Sequence, residues 1–128
     1  MYRFKHDRAL TTHGAANFVR GRLAHYLRSS PYFVNMLLAG FDEKEGSSLY
    51  YMDYLASMHK IPFGVQGYGS YFCLSILDKY YRKDMSLEEA VNLLKRCTDE
   101  VKKRLLLNTP KFIVKVVNAN GTCKLEDQ

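Results

Sequence analysis

No stretch of this chain approaches the ~18 consecutive apolar residues that a membrane-spanning helix needs. The apolar run from Phe33 to Phe41 reaches about half that length and is interrupted by Asn35 and Gly40. A secretory leader is also missing from the opening, because Met1-Tyr2-Arg3-Phe4-Lys5-His6 leads into charge rather than an apolar segment. There are three cysteines, Cys73, Cys97 and Cys123, and none forms a CxxC pair. An odd count with that spacing argues against a disulfide framework and a zinc knuckle, and fits a reducing compartment. The four histidines, His6, His13, His25 and His59, form no HxH or HExxH pair, so no metal site is expected. No GxSxG elbow anchors a hydrolase triad. Gly67-Tyr68-Gly69-Ser70 has neither the longer glycine pattern nor the Lys of a phosphate loop, and reads as a tight turn into a helix. Tryptophan is absent, while tyrosine occurs ten times.

What is present is a globular composition: 128 residues, 47% hydrophobic and 25% charged. One domain spanning 1–128 is expected at this length. Acid is the minority charge, with 13 Asp+Glu against 19 Lys+Arg, for a net of +6. The excess sits at the ends. Residues 1–30 carry +5, residues 31–100 carry −3 and residues 101–128 carry +4. Basic ends meet phosphate or acidic protein neighbours. No RNP-like motif accompanies the tyrosines, and Tyr50, Tyr51 and Tyr54 lie in a segment without Lys or Arg. Those tyrosines therefore read as core or protein-interface residues rather than base-stacking ones.

Periodicity divides the chain into separate blocks of helix and strand. A helix is predicted from Thr11 or Thr12, with Ala16, Val19, Leu23, Tyr26 and Leu27 as its apolar stripe, ending at Ser29-Ser30-Pro31. Phe33–Ala39 reads as a strand apolar on both faces, hence covered on both sides. Asp42–Gly46 reads as a turn and Leu49–Leu55 as the return strand. A third strand is predicted at 60–66, with Pro62 near an edge or start. A helix follows Gly67–Ser70, carrying Phe72, Cys73, Ile76, Leu77, Tyr80 and Tyr81. Ser86 and Glu89 form a capping box for the next helix, whose predicted buried stripe is Leu87, Ala90, Val91, Leu94, Val101 and Leu105. Asn108-Thr109-Pro110 stops it. Phe112–Val117, a turn at Asn118–Gly121 and a return from Thr122 to Leu125 complete a hairpin. Segregated blocks give an α+β class, with sheets packed face to face and helices outside. Cys73 and Cys97 fall on or near apolar stripes and read as buried, inert thiols, whereas Cys123 lies beside a turn.

A set of collinear motifs resembles proteasome beta subunits. They are Ala39-Gly40-Phe41-Asp42, Gly46 with Leu49-Tyr50-Tyr51-Met52-Asp53, Gly67-Tyr68-Gly69-Ser70, Leu77-Asp78-Lys79-Tyr80-Tyr81 and Met85-Ser86-Leu87-Glu88-Glu89-Ala90. Tyr50–Ala56, Leu74–Tyr81 and Lys103–Asn108 narrow the resemblance to one eukaryotic kind that holds the fourth place in the beta ring and has no peptidase activity. The resemblance covers essentially the whole chain. It implies the N-terminal-nucleophile hydrolase fold, a four-layer αββα sandwich. On this likeness the sandwich is incomplete: the opening strands, the N-terminal threonine position and the first helix have no counterpart, so the chain reads as truncated by its N-terminal third.

The same resemblance bears on catalysis. In active relatives an N-terminal Thr is both nucleophile and, through its amine, its own base. Thr11-Thr12-His13-Gly14 looks like such a terminus but runs into an amphipathic helix. Tyr68 stands where active relatives have the first Ser of a Gly-Ser-Gly-Ser turn, and Leu105 and Asn108 stand where they have a supporting Asp and Ser. The resemblance therefore implies no catalytic residue, no cofactor and no bound metal. It implies neighbouring beta and alpha subunits in a 28-subunit particle, in cytoplasm and nucleus, supporting ubiquitin-dependent degradation, with no nucleic acid and no membrane as partner. The expected interface elements are the helices at 70–82 and 86–105, the Tyr-rich strand and the C-terminal segment. A threonine-peptidase fragment and a basic nucleic-acid binder are the alternatives.

Overall fold

The computed structural model describes residues 11–104 and 112–125. Their order is α1 (Thr12–Tyr26), β1 (Met36–Asp42), β2 (Gly46–Met52), β3 (Met58–Lys60), α2 (Ser70–Tyr80), α3 (Leu87–Arg104), β4 (Val114–Asn118) and β5 (Gly121–Leu125). Helices and strands stand in separate blocks, as the α+β reading requires. The described residues divide between two compact units, one formed by 11–61 and 115–123, the other by 62–104, 112–114 and 124–125.

In the first unit, β1, β2 and β3 form one antiparallel sheet in that order. A three-residue turn at 43–45 joins β1 to β2, and Gly46 leaves it with φ +74, which glycine adopts without steric cost. Helix α1 begins where expected. Thr11 is its N-cap, and the Thr11 hydroxyl accepts from Gly14 N at 3.0 Å. Ala16 and Leu23 are buried at the predicted positions, with Val19 packed beside them. They meet Tyr50, Met52 and Ala56, with Met36, Leu38 and Met58 around the margin.

Cross-strand pairs explain which sheet face is buried. Met36 lies opposite Met52, Leu38 opposite Tyr50 and Gly40 opposite Ser48, all on the face that meets α1. Leu37 and Ala39 point the other way and are exposed. The expectation that this strand is covered on both sides is therefore corrected: its side chains alternate between half-buried and exposed along Met36–Gly40.

Three strand boundaries also move. Expected at Phe33, β1 starts instead at Met36, because its partner β2 ends at Met52 and leaves residues 33–35 nothing to pair with. The return strand runs Gly46–Met52 rather than Leu49–Leu55. Asp53 closes a turn there, its Oδ1 accepting from Leu55 N and Ser57 N at 3.0 Å each, with Ala56 at φ +63. The third strand is Met58–Lys60, not 60–66. Ile61 N still donates to Leu49 O at 2.9 Å, but Pro62 has no N–H to continue the ladder.

In the second unit, α2 packs against α3 through Cys73, Cys97 and Val101, with Val65, Ile76, Leu77 and Phe112 around them. The capping box forms as expected: Glu89 N donates to Ser86 Oγ and Ser86 N donates to Glu89 Oε2, both at 3.2 Å. Ser86→Ala is expected to destabilise this unit by about 1 kcal/mol, measured as a lower urea midpoint. Of the predicted stripe of α3, Val101 is buried and Val91 half-buried, while Leu87, Ala90 and Leu94 are exposed; Leu93 and Cys97 join Val101 at four-residue steps as the buried residues. Leu105 lies outside the described residues. The helix has a second apolar side, where Val91, Leu94 and Thr98 form a small cleft with Phe112, Val114 and Leu125. Two adjacent apolar sides blur a single periodic stripe. The hairpin of β4 and β5 turns at Ala119–Asn120, and Gly121 adopts φ +97.

Candidate interaction surface

Thr11 and Thr12 show how the chain spends its only adjacent threonine pair. Thr11 caps α1, and Thr12 opens the helix at 8% exposure. Thr12 N donates to both Asp42 carboxylate oxygens, at 3.2 and 3.1 Å. A carboxylate at a helix N-terminus meets unpaired N–H groups and the positive end of the helix dipole. The end of β1 thereby anchors the start of α1, a link between residues thirty apart. Neither threonine amine is a free terminus in this arrangement.

Gly67-Tyr68-Gly69-Ser70 forms the expected tight turn, entered from irregular chain rather than a strand. Gly67 lies at φ +80, and the Ser70 hydroxyl donates to Gly67 O at 2.8 Å. Tyr68 and Tyr71 project outward, each about four-fifths exposed.

The thiols sit as predicted. Cys73 and Cys97 are buried, and Cys123 is exposed. Cys73 Sγ approaches Cys97 O at 3.6 Å. Burial pushes the Cys73 thiol up, and burial beside Cys73 pushes Cys97 up to about 11. Because the folded Cys97 holds its proton where an unfolded thiol has lost it, the folded state binds more protons above pH 9. Stability is therefore complete below that pH and falls as pH rises towards 11. At neutral pH, Cys123 is expected to react with iodoacetamide well before Cys73 or Cys97, read by peptide mass after timed labelling.

His13 is a structural histidine. Asn17 Nδ2 donates to its Nε2 at 2.8 Å, so Nδ1 carries the proton and donates to the Tyr50 hydroxyl at 3.1 Å. Tyr50 is 4% exposed and belongs to the core. Among the described residues, no group of three His, Cys, Asp or Glu is placed to hold a metal. Nor is any described helix long and apolar enough to cross a membrane.

The elements expected to form interfaces differ in exposure. Helices α2 and α3 do expose apolar residues, including Tyr71, Leu74, Tyr80, Leu87 and Leu94. Arg96 lies 4.2 Å and Lys79 5.3 Å from the Tyr80 ring centre, and the two cations hold the Tyr80 hydroxyl below its ordinary range. The Arg82–Glu89 and Arg104–Glu100 pairs are solvent-facing and contribute little. In the Tyr-rich strand, Tyr50 is core and Tyr51 half-buried, so β2 is not the exposed aromatic surface expected of it. Tyr54, just past the end of β2, is exposed, and so are Tyr32 and Phe33, with Phe33 packed on Tyr54 at 5.9 Å. The sequence reading missed Phe33 by placing it in a strand. Of the Lys103–Asn108 motif, Leu105 and Asn108 lie outside the described residues, as does His6.

A family model described as proteasome subunit matches residues 1–117. The chain is 50% identical over 121 residues to proteasome subunit beta type-2-A of Arabidopsis thaliana, covering 94% of this chain and 59% of that protein. It is 53% identical to proteasome subunit beta type-2 of Oryza sativa subsp. japonica, covering 94% of this chain and 57% of that protein. Proteasome subunit beta type-4 of Saccharomyces cerevisiae is 38% identical, over 99% of this chain and 65% of its own length. The chain thus spans less than two thirds of each of these relatives. The plant proteins bear the type-2 name to which the narrower motifs pointed. With the family match running over residues 1–117, this chain belongs to the proteasome subunit family.

Proposed function

We propose that the chain is a non-catalytic beta-type subunit of the proteasome core particle, a single beta-type domain filling the fourth place of the seven-membered beta ring. Its fold contribution is to an αββα four-layer sandwich. Its partners are neighbouring beta and alpha subunits of the 28-subunit particle, in cytoplasm and nucleus, and its part in ubiquitin-dependent degradation is structural. The observation that carries this reading is identity of 50% and 53% to two beta type-2 proteins across 94% of the chain. The use of Thr11 and Thr12 as a helix start supports the non-catalytic part, because a threonine nucleophile needs a free α-amine as its base. Such a subunit closes a ring through heterologous contacts with its neighbours.

The test is isolation of core particles through a tag on a different subunit. This chain is expected in the particle fraction, and the purified chain alone is expected not to cleave fluorogenic peptides. Peptide cleavage by the chain with a processed threonine terminus would overturn the non-catalytic reading. Its absence from the particle fraction would overturn ring membership.

A further inference from the structure

A ridge of exposed side chains, joined at its middle by half-buried Tyr26, runs along the first unit. Phe18, Arg22 and Tyr26 succeed one another at four-residue steps on α1, which puts them on one side of the helix. The Arg22 guanidinium sits 5.6 Å from the Phe18 ring centre. His25 packs edge-on against Tyr26 at 4.8 Å, and Tyr26 packs edge-on against Tyr32 at 5.6 Å. Phe33 follows at 81% exposure, resting on Tyr54. Backbone bonds fix this corner: Ser30 N donates to Tyr26 O at 2.9 Å, and Tyr54 N donates to Asn35 Oδ1 at 3.2 Å. Val34 and Leu55 are also exposed beside Phe33 and Tyr54 in the chain.

Among the described residues, the ridge carries positive charge with no ion-pair partner. From Thr11 to Phe41 the chain has three arginines, at 20, 22 and 28, and no Asp or Glu. No described carboxylate forms an ion pair with any of the three. The next acid, Asp42, has both oxygens engaged by Thr12 N, and Asp53 is engaged in its own turn. Aromatic residues and arginine concentrate at the centre of protein interfaces, and grouped exposed apolar residues mark such sites.

We infer that this ridge docks against another subunit through a surface that is acidic around an apolar centre. The inference rests on the ring-subunit reading for the identity of the partner. Charge complementarity sets the acidic part, matching Arg22 and Arg28. Phe33, Tyr32 and Tyr54 set the apolar part. Nucleic acid fits the ridge less well. Val34 and Leu55 give no π face, and no lysine lies between Thr11 and Phe41 to track a phosphate backbone.

The experiment places a photoreactive amino acid at position 33, and as a control at position 44 on the β1–β2 turn, in the full chain expressed in cells. The expected result is an adduct from position 33 to a carboxylate-rich segment of another proteasome subunit, and none of that pattern from position 44. Arg22→Glu with Arg28→Glu should lower the adduct about tenfold, and Lys44→Glu should leave it unchanged. Both arginines are exposed, so far-UV circular dichroism is expected to show the fold retained; if it is not, the position-33 adduct with native arginines decides. Nuclease-sensitive adducts, adducts only to a second copy of this chain, or adducts indifferent to charge reversal would overturn the inference. Particle isolation separates the two levels. A chain in the particle fraction but unlinked at position 33 sinks this inference alone, and a chain outside the fraction sinks the reading beneath it.

Discussion

Gly40→Ala is expected to lower the stability of the first unit by about 1–3 kcal/mol. A Cβ built on Gly40 would overlap the Thr12 hydroxyl and come within 2.7 Å of Thr12 Cγ2 and 2.8 Å of Thr12 Cβ. Real Cβ atoms do not approach others that closely, so something must shift. Thr12 cannot swing away freely, since it is 8% exposed and its N–H is tied to Asp42. The movement therefore falls on α1, which must lift from β1 and weaken the Asp42 anchor. Two measurements check this. Urea unfolding followed by circular dichroism should give a lower midpoint, and the Thr12 amide should exchange faster with deuterium. Adding Thr12→Ala to Gly40→Ala removes the hydroxyl and Cγ2 but leaves Cβ, so recovery should be partial. A non-additive pair of this kind identifies direct contact. Unchanged stability in Gly40→Ala would show that the helix start is not held against this strand.

The features legible in the sequence were those decided by near neighbours. The Ser86–Glu89 capping box depends on residues three apart, and it formed as read. The stripe of α1 through Ala16 and Leu23 was equally clear, because that helix has one buried side. Strand ends were less legible because a partner decides them. Phe33 has the composition of a strand residue, yet β2 stops at Met52 and turns through Asp53, so Phe33 has no ladder to join. The Thr12–Asp42 anchor joins residues too distant for any local pattern to reveal. In α3 the difficulty was of another sort. Apolar residues occupy two adjacent sides, so Leu94 was read as buried and Leu93 passed over, and only the packing of Cys73 against Cys97 and Val101 shows which side is buried.

The surface followed the same logic. Exposed Phe33 and Val34 were counted towards a core because apolar runs usually are. A usable signal did exist: the run follows Pro31 and ends a stretch from Thr11 to Phe41 that contains arginine but no acid. Uncompensated charge beside an apolar run describes a surface better than an interior, where burying a charge without a partner is costly. For the tyrosines of β2 the sequence left core and interface both open, and Tyr50 takes the core. Tyr50 reads as amphipathic and suited to an interface, but its hydroxyl is satisfied internally by His13, which allows the ring to be buried.

Met52→Ala is the second substitution of large expected effect, at about 2–5 kcal/mol. Met52 is 0% exposed and is the large side chain most completely enclosed among the described residues. It lies at the middle of a row across the sheet, opposite Met36 on β1 and opposite Met58 on β3. Truncation to alanine removes three heavy atoms from a position already walled in by Ala16, Leu23 and Tyr50. The cost then depends on how far the surroundings collapse. Met36 and Met58 are half-buried, flexible and unbranched, so they can lean into part of the space, which favours the lower half of that range. Two comparisons separate packing from mere polarity change. Met52→Leu keeps the volume nearly constant and should cost less than about 1.5 kcal/mol. Met36→Ala and Met58→Ala should each cost less than Met52→Ala, because those side chains leave less enclosed space behind. Urea midpoints for the four variants, with the slope of the transition unchanged, give the ranking. If Met52→Ala proved no more costly than Met36→Ala, the centre of this core would lie elsewhere than in the methionine row.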